Sequence, residues 1–252
     1  MADQIFYGTV LLKAKQITDY IVDSNTAVSL KDISDNLAIT KPTILKILRT
    51  LEYCGFVNRN SETQKYSLGT VYLRYGQKVA ESFDIKELTR PFLEQLRDKT
   101  NETINLGIVE KNKVVLLDKL ESSRSVKLVS RVGGTMHMYS SAMGKTFLAH
   151  YTPEKLTKYL ENTSLVSLTP NTITDVQTLK DDLEQVRQQN FAIDNVENQA
   201  DIFCVGFILE KNSNCYGAFS ISAPEYRVTK KVLHEFIKYG KEAQLKILEV
   251  LN

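Results

Sequence analysis

The chain has 252 residues, 42% of them hydrophobic and 25% charged, with a formal net charge of +2. A chain of this size and composition buries a core and has room for two modest domains, so wholesale disorder is excluded. The three cysteines, Cys54, Cys204 and Cys215, are odd in number and widely spaced, which argues against a secreted disulfide framework and for a reducing cytoplasm.

Met1-Ala2-Asp3-Gln4 starts acidic, and the apolar stretch from Ile5 to Leu12 is broken by Tyr7, Gly8 and Thr9, so neither a signal peptide nor a transit peptide is expected. No apolar run approaches the roughly 20 residues a membrane-spanning helix needs. From Ile5, the residues Val10, Leu11, Ala14, Ile17, Ile21 and Val22 recur at helical spacing until the polar cluster Asp23-Ser24-Asn25-Thr26 ends the run. A second helix starts at Ser29, an N-cap followed three residues later by Asp32, and leads into Ile33 and Leu37. A third starts at Thr40, with Pro42 in its first turn, where a missing N–H costs nothing. Its buried side is Ile44, Ile47, Leu48 and Leu51.

The short turn Leu37-Ala38-Ile39 between the second and third helices has the length of a helix-turn-helix. After Gly55, residues 56–59 and 65–68 alternate like two strands around Asn60-Ser61-Glu62-Thr63, a small hairpin. Charge is concentrated in this part of the chain. Residues 1–39 hold three Lys against five Asp, a balance of −2, whereas residues 40–74 hold six Lys and Arg against two Glu, a balance of +4. The remaining residues sum to zero. Helices followed by a cationic hairpin make a winged helix-turn-helix, and a cationic outer face on the third helix suits a polyanion. The DNA-facing set is Ser29, Lys41, Pro42, Thr43, Lys46, Arg49 and Thr50, with Arg59 and Lys65 of the wing holding phosphates. A helical domain with a merely solvated basic face is the plainer alternative.

Residues 69–83 suggest a linker helix through Val71, Leu73, Tyr75, Val79 and Phe83, and Asp84 is placed to cap a following helix carrying Ile85, Leu88, Phe92, Leu93 and Leu96. Strands are expected over 103–109, 114–120 and 126–129, and helices over 141–150, 153–160 and 174–189. A strand pair over 203–209 and 216–222 then precedes a last amphipathic helix over 230–251. Strands joined by short turns, with helices in blocks, indicate an α+β domain with a mostly antiparallel sheet. The expected layout is a winged helix-turn-helix domain over 1–68, a linker helix over 69–83 and an effector-binding and oligomerisation domain over 84–252.

Gly144-Lys145-Thr146 is the tail of a phosphate loop, but Tyr139 stands where that motif requires glycine, so a nucleoside triphosphate site is not expected. A helix starting near Ser141 points the N–H groups of Ala142, Met143 and Gly144 outward, a natural seat for a carboxylate. Simple capping by Ser141 accounts for the same residues equally well. Cys204, Ser220 and Ser222 can line the same cavity, although a lone cysteine is more often a small buried hydrophobe. The three histidines do not fall into metal-ligand spacing, and there is no G-x-S-x-G nucleophile elbow, so neither a metal, a cofactor nor catalysis has positive support.

The run Ser29-Leu30-Lys31-Asp32-Ile33-Ser34 through Thr40-Lys41-Pro42-Thr43-Ile44-Leu45-Lys46-Ile47-Leu48-Arg49-Thr50-Leu51-Glu52-Tyr53-Cys54-Gly55-Phe56-Val57 resembles the winged helix of IclR-type (isocitrate lyase regulator) transcription factors. Ser130-Arg131-Val132-Gly133, Ser141-Ala142-Met143-Gly144-Lys145, residues 168–174 and Ser220-Ile221-Ser222-Ala223-Pro224 resemble the effector domain of the same family, in the same order. The resemblance covers almost the whole chain. It implies a GAF-like effector domain, dimers or tetramers, and a small organic acid held at the start of the helix after Tyr139. The implied effector residues are Tyr139, Ser141, Ala142, Met143, Asp194, Ile202, Cys204, Ser220 and Ser222. Met136-His137-Met138-Tyr139 replaces the family's usual Leu-Pro-Leu-His and is expected to bring a phenol into the pocket, while Pro42 and Leu45 depart from the usual recognition helix.

The leading expectation is a cytoplasmic regulator that binds double-stranded operator DNA under control of a small carboxylate, with no membrane partner. A thiol redox sensor using Cys204 or Cys215 is the alternative from another class. An enzyme with an accessory DNA domain ranks last.

Overall fold

A computed structural model describes residues 8–80, 84–125 and 128–251. The chain divides into two compact units, Met1–Ser82 and Phe83–Asn252. The N-terminal start of the first expected helix, the end of the linker helix and the capping role expected of the Asp84 side chain lie outside the described residues.

The first unit is built from α1 (Thr9–Asp23), α2 (Leu30–Asn36), α3 (Lys41–Tyr53), β1 (Val57–Arg59), β2 (Tyr66–Leu68) and α4 (Val71–Ala80). A reciprocal cap starts α2: Ser29 Oγ accepts the Asp32 N–H, and the Asp32 carboxylate accepts the Ser29 N–H. Ile17 and Ile21 of α1, Ile33 of α2, Ile44, Ile47 and Leu48 of α3, and Val57 and Tyr66 of the hairpin close one core. Val28, just before α2, pairs with Tyr66 through two backbone hydrogen bonds of 3.0 and 2.7 Å, which ties the hairpin to the helices. Only the second half of α1 is buried; Val10 and Leu11 are 57% and 71% exposed.

The second unit contains α5 (Asp84–Thr100), β3 (Thr103–Glu110), β4 (Lys113–Leu120), β5 (Thr135–His137), α6 (Ala142–Ala149), α7 (Pro153–Glu161) and α8 (Val176–Gln189). It continues with β6 (Ala192–Asn195), β7 (Ile202–Lys211), β8 (Asn214–Pro224) and α9 (Lys230–Val250). Six strands form one sheet in the order β5-β4-β3-β8-β7-β6, every neighbouring pair antiparallel. No helix among the described residues is long and apolar enough to cross a membrane.

Three strand assignments differ from expectation. Val126 of the strand expected over 126–129 lies outside the described residues, and Leu128 and Val129 carry no strand. The Leu128 carbonyl is held instead by Lys119 Nζ at 2.7 Å, and Val129 is 68% exposed. β5 and β6 were not expected: β5 is a three-residue edge strand, too short to show alternation, and β6 buries Asp194, whose charge hides the strand pattern.

The period of two along each strand sorts the sheet into two faces. Ile104, Leu106, Phe203, Val205, Phe207, Leu209, Phe219, Ile221 and Ala223 pack with α5 and α9. Ile208, Ala218, Ala192, Val114 and Leu116 pack with α6, α7 and α8. On this second face the small or polar residues Asn105, Cys204, Ser220 and Ser222 leave a gap rather than a core.

Two glycines let α6 approach that gap. A Cβ on Gly206 would lie 2.6 Å from the Ala142 carbonyl carbon and 2.8 Å from the Met143 nitrogen, and one on Gly144 would lie 2.3 Å from Met138 Cα. Gly206→Ala is therefore expected to cost about 1–3 kcal/mol, because backbone rather than a flexible side chain must move. Chemical denaturation of the variant checks this; unchanged stability would show that α6 has slack above β7.

Candidate functional site

On α3, the outward residues Lys41, Pro42, Lys46, Arg49 and Thr50 are exposed, and Thr43 is half-buried with its Oγ1 2.9 Å from that of Thr40. Spacing of three and four puts Lys46, Arg49 and Tyr53 on one stripe opposite Ile44, Ile47 and Leu48. Tyr53 was not among the sequence candidates, yet it is 93% exposed at the end of this stripe. In the wing, Arg59 and Lys65 are exposed, and the Arg59 guanidinium lies 5.7 Å from the Tyr66 ring centre, which braces it without hiding it. Ser29, expected both as an N-cap and in the DNA-facing set, is the cap of α2. Its hydroxyl and N–H both engage Asp32, whose carboxyl they hold below its usual range, so Ser29 shapes α2.

The second unit holds a narrow cavity of about 40 Å³ beside the start of α6. Ser141, Ala142, Met143, Asp194, Ile202, Cys204, Ser220 and Ser222 all line it. They come from the N-cap and first turn of α6 and from β6, β7 and β8. Cys204 faces Asp194 on one neighbour and Ser222 on the other, while Ser220 faces Asn105 of β3.

Tyr139 does not line the cavity. It is wholly buried in the core beneath α6, and its hydroxyl donates to the Val166 carbonyl at 2.8 Å, so the phenol expected in the pocket braces the residue 164–168 loop instead. Burial pushes that hydroxyl above its ordinary pKa.

Lining residues not named as effector contacts in the sequence include Asn105, Asn198 and Gln199, together with Ser130 and Met136, which were read there only as parts of motifs. Asn105 was legible as the one amide in an otherwise apolar strand. Its Nδ2 donates to Ser222 Oγ at 3.1 Å. The others come from loops and a short edge strand without a periodic signal.

Ser141 caps α6, as the plainer of its two readings expects. Its Oγ accepts the Gly144 N–H at 3.2 Å and donates to the His137 carbonyl at 2.6 Å, while its own N–H reaches His137 O at 3.2 Å. Of the four N–H groups at this helix start, those of Ala142 and Met143 have no acceptor among the described residues. A helix N-terminus with unsatisfied donors favours an anion.

Lys145 of the Gly-Lys-Thr triplet is turned into a buried ion pair. It is 1% exposed and sits 2.7 Å from Glu197 Oε1 and 3.1 Å from Asp182 Oδ2. Burial raises the Glu197 carboxyl above its usual range. The thiols of both cysteines nominated for redox sensing are shifted upward. Burial pushes Cys204 well up, with the neighbouring Asp194 charge adding to it, and burial likewise raises Cys215. Reactive sensors need the thiolate, which these surroundings disfavour.

Residues 10–61 match the IclR helix-turn-helix domain, and residues 77–248 match the bacterial transcriptional regulator IclR C-terminal domain. The HTH-type transcriptional regulator XynR of Escherichia coli is 29% identical over 241 residues, 95% of this chain and 96% of that one. The crystal structure of the Thermotoga maritima IclR shares 34% identity at a TM-score of 0.76, covering 96% of this chain and 98% of its own. An IclR homologue from Microbacterium hydrocarbonoxydans, crystallised with 4-hydroxybenzoate, has the same fold at 20% identity and a TM-score of 0.78, covering 96% of this chain and all of its own. The chain therefore belongs to the IclR family of bacterial DNA-binding transcriptional regulators, with the family's helix-turn-helix domain followed by its C-terminal ligand-binding domain.

Proposed function

We propose that this regulator controls its operator affinity through a small carboxylate bound in the cavity at the start of α6, and that it acts in the cytoplasm as a dimer or tetramer. The observation that carries the reading is the pair of unsatisfied N–H groups on Ala142 and Met143, both in the cavity lining. Asn105, Ser220 and Ser222 supply further hydrogen-bonding groups from the floor. The relative crystallised with 4-hydroxybenzoate, itself an aromatic carboxylate, accords with this chemistry.

In the first unit, the first turn of α3 enters the major groove with Lys41, Pro42 and Thr43 at base edges. Lys46, Arg49 and Thr50 follow along the groove, and Arg59 and Lys65 hold phosphates. The ligand acts by favouring one arrangement of the regulator over another, which requires that it bind the two unequally.

The test is thermal unfolding of the purified protein with a panel of small carboxylic acids and the corresponding amides. An acid at about 100 times its Kd stabilises its binding state by about 2.7 kcal/mol. At least one acid is expected to raise the midpoint while its amide does not. A panel in which no acid outperforms its amide would overturn the carboxylate reading.

A further inference from the structure

Asp194 presents a carboxylate to the same cavity. It lies in β6 opposite Cys204, is 3% exposed, and lines the space onto which Ala142 and Met143 open. Oδ1 accepts the N–H groups of Glu197 at 2.7 Å and Asn198 at 3.2 Å. The Cys204 thiol, opposite on β7, stands beside this carboxylate, and both groups line the cavity.

The charged and titratable groups around Asp194 are Cys204 from β7, Glu197 from the loop after β6 and Lys145 from α6, with Asp182 of α8 reached through Lys145. Lys145 is engaged by Glu197 and Asp182 at 2.7 and 3.1 Å, and Cys204 is neutral. An incoming carboxylate thus adds a second negative charge in a narrow space whose nearest cation already serves two other carboxylates. Two carboxylates sharing such a site do not both stay ionised. The α6 N–H groups stabilise the charge of the ligand, so the proton belongs on Asp194.

We propose that Asp194 takes up one proton when a carboxylate enters the cavity, so that acid and proton bind together and affinity falls as the pH rises above neutrality. This rests on the carboxylate reading above and adds its regulation by pH. Burial, with the Glu197 charge adding to it, already lifts the Asp194 carboxyl to about 7, against the opposing N–H groups of Glu197 and Asn198 and the Lys145 charge. The sign follows. Below that value the protonated form is present beforehand and affinity is flat; above it, each pH unit weakens binding about tenfold, the cost of supplying the proton.

The test is calorimetry on the full chain with acetate and propionate at pH 6 and pH 8.5, in buffers of different ionisation heat, with acetamide and propionamide as neutral isosteres. At pH 8.5 each acid is expected to bring close to one proton with it and each amide none, and acid binding is expected to be at least about tenfold weaker than at pH 6. Asp194→Asn keeps an acceptor for Glu197 and Asn198 and is expected to flatten the profile. The proton count on the unaltered chain stands even if that variant does not fold. Acid binding without proton uptake at pH 8.5 would overturn the inference and leave the carboxylate reading intact. Failure of both acids to bind at any pH, together with a panel in which no acid outperforms its amide, would overturn the carboxylate reading and take the inference with it.

Discussion

Replacing Lys145 with methionine is expected to destabilise the C-terminal unit by about 3–5 kcal/mol, the cost of leaving buried carboxylates without their cation. Glu197 is 5% exposed and its Oε2 has no hydrogen-bond partner among the described residues, so Lys145 is what makes its charge tolerable. The midpoint of thermal unfolding should fall by roughly 10 °C for a unit of this size. The loss should be smaller at pH 5 than at pH 8, since the orphaned Glu197, already raised by burial, takes a proton more readily in acid. Lys145→Met with Glu197→Gln should recover part of the loss. A Lys145→Met protein as stable as the parent at pH 8 would mean that the triad is a bystander.

The consequence reaches the cavity because Lys145 clamps the loop that follows β6. Thr169 Oγ1 and Thr172 Oγ1 donate to the carbonyls of Val196 and Glu197, each at 2.6 Å, and Asn171 Nδ2 donates to Asn195 O at 3.0 Å. These contacts and the Lys145 ion pair hold the loop that sets Asp194, Asn198 and Gln199 against the ligand space.

The second large effect is on DNA. Lys46→Ala combined with Arg49→Ala should weaken operator binding at least about 30-fold, since each basic contact to a base edge or phosphate is worth roughly 1–3 kcal/mol. Both side chains are exposed on α3, so the thermal midpoint should not move. The slope of log affinity against log salt should also shallow, because fewer counterions are released. Anisotropy titration at several salt concentrations reads both quantities. Undiminished binding would show that α3 is not the reading helix.

The first unit was largely legible because its signals are local. A capping box at Ser29, a proline in the first turn of α3 and a three-residue turn each act within a few positions. The cavity was legible where residues sit on periodic strands or at a helix start, as with Cys204, Ser220, Ser222 and the Ser141 cap. Tyr139 misled because its identity says nothing about which side of the chain it leaves from; the chain turns it into the core beneath α6. Asn198 and Gln199 were silent, since a loop held by distant threonines and a buried lysine has no pattern of its own. Asp194 concealed a strand because a buried carboxylate imitates a surface residue in sequence.

The central claim, one protein that reads DNA at α3 and senses a carboxylate at α6, is tested most directly by an anisotropy titration against its own upstream intergenic DNA at fixed salt, with and without the acid that raises its unfolding midpoint. The account predicts specific binding whose Kd changes by at least about fivefold with the acid, the lower end of typical allosteric coupling. Specific binding that ignores an acid shown to occupy the protein, or no specific binding at all, would contradict it.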